Sequence, residues 1–224
     1  MLAIVADRVA LWIAEGEVAS RARDTLGLTE EPSVSVKGFP FLTQVVGGSL
    51  DRVDLGLDEY TAQVDDQELT VQELDVQLTD VELTDGYTGA VAGRAEGEGL
   101  IGYEELTRAY GELFALSGNG FGVEFGHAEG GRLLLTLQAT VLGQSLDVGE
   151  VPGDIVLDGD TVRLEVAEEA IPDTGGEEVQ AAIREQLDQE RTLSGLPEGL
   201  SLDSLEPTPD GISLGITGSN IEIG

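Results

Sequence analysis

The chain has no cysteine, one lysine, one histidine and one tryptophan among its 224 residues. Without cysteine there is no disulfide framework and no thiol chemistry, although compartment stays open. With one histidine, metal ligation would rest on carboxylates alone, which zinc rarely accepts. That histidine, His127, lies in Gly126–Gly131, which reads as a hairpin loop. No G-x-S-x-G elbow accompanies it, so a serine–histidine hydrolase is not supported. Gly47-Gly48 and Gly97-x-Gly99 lack the following helix that a phosphate-binding loop requires. No catalytic set, cofactor site or metal site is expected.

Positive charge is equally scarce. Eleven basic residues face 44 acidic ones, a formal net charge of −33. Such a surface repels nucleic-acid backbones and offers no basic stripe against that repulsion, so no nucleic-acid partner is expected. The plain account of the acidity is a solvated shell, suited to a saline or alkaline medium. Calcium loops need ligands at fixed spacing, and Asp147, Asp154, Asp158 and Asp160 do not supply it. Only 4% of residues are aromatic, too few for a ring-lined sugar cleft. A carboxylate-based glycan enzyme therefore stands only as an alternative.

Long apolar runs are missing too. Met1–Ala6 is apolar but too short to span a bilayer, and it lacks the charged start of a signal peptide. It is expected to be the remnant of a longer signal or membrane segment. What the chain does have is 31 glycines and a core supply of Leu, Val and Ile, which points to a β-dominated single domain over 1–224.

Residues 4–26 predict a long helix, with Val5, Val9, Trp12, Ile13 and Gly16 on one stripe and Gly27 as its stop. Trp12 is expected to pack in the core or line a ligand cavity. Next comes an unusual stretch, Val34–Leu55. Val34 and Val36 alternate before it, Val53, Leu55 and Leu57 after it, and Pro40 and Gly47-Gly48 bracket a short apolar segment of about two helical turns. It reads as strand, compact apolar turn, strand.

Beyond it the apolar residues alternate with slips of phase. Leu69 and Val71 are odd, Leu74, Val76 and Leu78 even, Val81 and Leu83 odd again. Each slip implies a bulge in a sheet that bends. A second amphipathic helix is predicted from Tyr103, Leu106, Tyr110, Leu113 and Phe114. A third is predicted over 175–191, from Val179, Ile183 and Leu187 behind a Thr174/Glu177 capping box. Leu133–Val141 gives the strongest strand. Asp85-Gly86, Asp158-Gly159 and Asp210-Gly211 mark turns.

The block from Val34-Ser35-Val36-Lys37-Gly38-Phe39-Pro40-Phe41-Leu42-Thr43-Gln44 through Gly47-Gly48 to Asp51-Arg52-Val53-Asp54-Leu55 resembles the signature of the LmeA-type phospholipid-binding proteins of actinobacterial envelopes. Ala6–Ala10, Gly102–Leu106, Leu196–Leu200 and Asp210–Ile212 are similar to further parts of that family. The resemblance implies an α+β fold like the tubular lipid-binding domains: a strongly curved, bulged antiparallel sheet wrapped around the long N-terminal helix, with two further amphipathic helices. It also implies an exported, non-enzymatic protein of the cell envelope that holds phospholipid or fatty acyl chains in an apolar cavity and makes peripheral membrane contact.

On that resemblance the expected cavity lining is Trp12, Phe39, Phe41, Leu42, Val45, Leu113 and Phe114. Lys37 and Arg52 flank the apolar turn and are the expected partners of a head-group phosphate. Two alternatives stay open beside it: an envelope domain whose core is filled by its own side chains, and the glycan enzyme.

Overall fold

The computed structural model describes residues 2–64, 67–86, 89–116, 121–141, 144–159, 161–167, 170, 184, 190–194, 196 and 199–223. Helix α1 spans Leu2–Leu26. It ends as its sequence requires: Gly27 takes a φ of +66°, and the Leu28 N–H returns to the Arg23 carbonyl at 2.9 Å. Strand β1 (Ser33–Lys37), helix α2 (Phe41–Gly47) and strand β2 (Ser49–Val64) follow, with Gly48 in the left-handed conformation closing α2. The strand–turn–strand reading of Val34–Leu55 is thus realised, its turn a short helix.

The remaining elements are β3 (Gln67–Thr84), β4 (Gly89–Ile101), α3 (Tyr103–Leu116), β5 (Phe121–Ala128), β6 (Arg132–Val141), β7 (Gln144–Asp158), β8 (Thr161–Val166), β9 (Arg191–Ser194), β10 (Leu200–Thr208) and β11 (Gly211–Ile223). The strands pair antiparallel in the order β10-β11-β4-β3-β2-β9-β8-β7-β6-β5, with β1 added beside β2. The fold is α+β, built on an open sheet. Strand β9 bridges its two halves, pairing β2 at Gln63↔Ser194 and β8 at Val162↔Arg191. Strand β10 also touches β6 and β7.

The predicted slips of phase are present, and one of them crosses four strands. Buried positions change parity between Leu50 and Val53, Leu78 and Val81, and Ala92 and Ala95. They change again between Ile216 and Ile221. The register aligns these breaks into one row, Asp51–Asp80–Gly93–Asn220. Asp80 and Asn220 have φ of +53° and +55°, a conformation that Asp and Asn tolerate better than most residues. A second slip falls at Glu73 (φ +49°), where the β3–β4 register shifts between Gln72 and Asp75. Each break keeps the apolar residues on one face, so the face survives along strands of up to 18 residues.

That face holds three connected cores. Leu11, Phe41, Val53, Leu78 and Ala95 pack beneath α1 and α2. Leu57, Leu74, Leu202, Leu214 and Ile216 form the middle. Leu106 and Ala109 of α3 pack with Leu133, Leu135, Val151 and Ile212 at the far end. Two anchors place α3: Glu105 accepts the Thr70 N–H at 2.7 Å, and the Tyr103 hydroxyl donates to the Thr208 carbonyl at 2.6 Å.

Three expectations need correction or delimiting. The sheet is not wrapped around α1. That helix packs on β1 and α2, and the apolar stripe Val5, Val9, Trp12 and Ile13 is exposed, Trp12 included, which was expected to pack in the core or line a cavity. The inward face is Asp7, Leu11, Ala14, Glu15 and Ala19. Small residues let the helix lie close, while the two carboxylates each accept a backbone N–H, from Leu42 at 2.8 Å and Val36 at 2.9 Å. His127 is not in a loop but pairs with Leu133 at the end of β5, the turn being Glu129-Gly130-Gly131. The helix expected over 175–191 lies outside the described residues apart from Arg184, Glu190 and Arg191.

Candidate functional site

The residues expected to line a cavity fall into separate settings. Phe41 is buried against Leu11, Val36 and Val53, and Val45 packs at the edge of the same cluster. Phe39 and Leu42 are exposed, and Trp12 is 74% exposed. The side chains of Leu113 and Phe114 lie outside the described set. The structure therefore brings Phe41 and Val45 together beneath α1, and places Trp12, Phe39 and Leu42 on the outer surface.

The reason for the split lies in α2. Leu42 and Val46, four residues apart on α2, form one row with Val46 83% exposed, and Phe39, which precedes the helix, is exposed as well. Phe41 and Val45, on the other side, face the sheet. A tight set of hydrogen bonds fixes this orientation. The Gln44 side chain donates to the Lys37 carbonyl at 3.2 Å and accepts the Asp51 N–H at 2.8 Å, closing the loop across Gly38. The Asp7 carboxylate holds the Leu42 N–H at the first turn of α2.

Strand alternation decides where the expected head-group residues stand. Val36 pairs with Val53 on the apolar face, so Lys37 pairs with Arg52 on the opposite, polar face. Both cations converge on Asp54. Lys37 Nζ lies 3.4 Å from its carboxylate, and Arg52 Nη2 donates to it at 3.0 Å. One carboxylate balances only one of the two cations, so the group of three keeps a positive charge.

Sequence reasoning missed Arg8. Its guanidinium lies 5.1 Å from the centroid of the Phe39 ring, a cation–π contact, and forms an ion pair with Asp7 at 2.6 Å. No sequence pattern links Arg8 to a residue 31 positions away; only the docking of α1 on α2 does. Asp7 itself is 2% exposed. Burial pushes its carboxyl pKa up, but the Leu42 N–H, the Arg8 guanidinium and the Phe41 N–H outweigh that and hold it below the ordinary carboxylate range.

The polar sheet face carries a concavity of about 700 Å³ beginning at Asp54. Asp75, Glu96, Glu98, Asp203 and Glu206 contribute carboxylates, and among the described residues no aromatic ring lines it. Among the described residues no cluster of His, Asp and Glu is arranged to hold a metal ion. Of the expected cavity residues, Trp12, Phe39, Phe41, Leu42 and Val45 do not line this concavity. Among the described residues no helix is long and apolar enough to cross a membrane.

Comparison with known proteins gives one result. The family model described as LmeA-like phospholipid-binding matches residues 5–217, which takes in α1, all of the described sheet up to the middle of β11, and α3. No curated protein and no solved structure matches the chain at a comparable level.

Proposed function

The chain belongs to the LmeA-like phospholipid-binding family, and from that membership we propose that it holds a phospholipid by its acyl chains at the apolar face beneath α1 and α2, without catalysing a reaction. The observation that carries the reading is the extent of the match, residues 5–217, because it includes both the helical cover and the sheet beneath it. An acyl chain gains about 0.8 kcal/mol per buried CH₂, so affinity needs no charged partner and tolerates the acidic surface.

On this reading Phe41 and Val45 would meet the chains, with Leu55 and Val76, which border both the core under α1 and the middle core. Opening that seam would lift α1–α2 from the sheet. For the head group the candidates on this reading are Lys37 and Arg52, which share the one carboxylate of Asp54 and keep a positive charge between them, and Arg8 on Phe39, whose charge is paired with Asp7. A single domain and a sheet that curls on itself belong to this reading, supported by the unbroken strand order and by the contact of β10 with β6 and β7. So does residence in the cell envelope, after export.

Native mass spectrometry of the purified chain, mixed with phosphatidylglycerol or a fluorescent fatty acid, tests the proposal. One-to-one lipid adducts are expected, and Val45→Trp should diminish them by filling the space beneath α2. Absence of adducts with every diacyl lipid tried would sink it.

A further inference from the structure

Between the row of breaks and the acidic concavity, the polar face carries a row of a different kind. There Lys37 pairs with Arg52, Arg52 with Thr79, Thr79 with Arg94 and Arg94 with Ser219. Three of the chain's 11 basic residues thus stand in one line across the sheet. Neighbouring strands lie about 4.8 Å apart, so Arg52 and Arg94 leave the sheet about 10 Å from each other, with Thr79 between them. Two guanidiniums set so can close on one group above Thr79.

Their own partners leave capacity over. Arg52 and Lys37 share Asp54, and among the described residues Arg94 has no ion pair or hydrogen bond. The Thr79 hydroxyl oxygen is buried and, among the described residues, meets no hydrogen-bond partner, which a buried hydroxyl normally finds. Cationic donors and an unused hydroxyl in one line form the donor set of an oxyanion site, and a phosphate has oxygens enough to engage them all.

Carboxylates on both sides decide which anion fits. Asp51 and Asp80 border the line at the row of breaks, with Glu82 beyond them. Asp54 and Glu96 border it on the concave side, two residues or about 7 Å along the strands. A plain anion is repelled from both sides, whereas an anion that carries its own cation is not. Deeper in the concavity Asp75 stands directly opposite Glu98, a like-charge pair whose repulsion a cation relieves.

We propose that this part of the polar face binds a phosphate ester bearing an ammonium group. The phosphate sits over Thr79 between Arg52 and Arg94, and the ammonium over Gln77 between Asp54 and Glu96. This face is opposite the acyl-chain seam, so the site stands whether or not that seam takes a lipid. The ester is either free in solution or the head group of a lipid.

Phosphoethanolamine titrated calorimetrically into the full chain at low ionic strength should bind saturably. Glycerol phosphate and ethanolamine, each holding one of the two charges, should bind at least about tenfold more weakly. Arg94→Gln should lower phosphoethanolamine affinity about tenfold and Thr79→Val severalfold, both with wild-type circular dichroism. Glu96→Gln should weaken phosphoethanolamine and strengthen glycerol phosphate, opposite signs that a merely structural role would not produce. Lysophosphatidylethanolamine below its micelle concentration separates the sources: binding weakened by Arg94→Gln assigns the site to a lipid head group, and exclusion assigns it to soluble esters. No saturable binding of phosphoethanolamine, or binding indifferent to both Arg94→Gln and Thr79→Val, overturns the site. Glycerol phosphate binding as tightly as phosphoethanolamine overturns the ammonium assignment. Loss of the one-to-one diacyl adducts with phosphoethanolamine binding intact removes the lipid-holding reading instead.

Discussion

The Asp7 carboxylate of α1 accepts the backbone N–H of Leu42 in α2 at 2.8 Å, across 35 residues of chain. This bond satisfies one of the free N–H groups at the start of α2, where Pro40 has no side chain able to cap. Because the hydrogen bonds and Arg8 hold Asp7 below the ordinary carboxylate range, its contribution to stability is present above that range. The contribution is lost as pH falls through the lowered, folded-state value. Asp7→Asn should therefore melt below wild type at neutral pH, and the two melting curves should converge on acidification. Coincident curves at neutral pH would show that the bond does not hold the helices together.

Gly38 and Gly47 bracket α2 and should respond oppositely to alanine. Gly38 has a φ of +97°, and an added Cβ would lie 2.5 Å from Gln44 Nε2, inside the loop that Gln44 closes. Gly38→Ala should cost about 1–3 kcal/mol in urea denaturation, the usual range for a side chain forced into that region. At Gly47 a Cβ meets nothing within 4 Å, and the residue lies in the last turn of α2. Gly47→Ala should be neutral or stabilising by up to about 1 kcal/mol.

Two large apolar side chains in opposite settings should differ in what their removal costs. Leu135 is wholly buried among Leu133, Val151 and Leu106, and Leu135→Ala should cost about 2–5 kcal/mol. Trp12→Ala removes a larger side chain yet should change stability by no more than about 0.5 kcal/mol, because it leaves no cavity. A large loss at Trp12 in chemical denaturation would mean that the outer face of α1 is covered in solution.

Much of the sheet was legible in the sequence because a two-residue period survives translation into strands. Leu133–Val141, the turns at Asp85-Gly86 and Asp158-Gly159, and the slips around Glu73 and Asp80 all correspond to structure. The orientation of α1 was not legible. Val5, Val9, Trp12 and Ile13 are the more hydrophobic stripe, and a rule based on burial alone turns them inward. What decides the matter is tertiary: Ala14 and Ala19 permit close packing, and the N–H groups of Leu42 and Val36 need acceptors that Asp7 and Glu15 provide. The candidate site was legible only in part for the same reason. Alternation from Val36 already puts Lys37 on the far face, but its meeting with Arg52 at Asp54 depends on a register set between strands. The pairing of Arg8 with Phe39 depends on two helices touching.

The row Asp51–Asp80–Gly93–Asn220 also constrains how such a chain can change its length. Deleting Asp80 alone would give β3 a plain alternation from Leu74 to Leu83 and leave it one residue out of step with β2 and β4, so that every pairing beyond the row would carry an inward residue against an outward one. Insertions and deletions within these four strands must therefore occur together or not at all. The turn at Asp85-Gly86 lies outside that obligation, and it is there that relatives of this chain should differ in length.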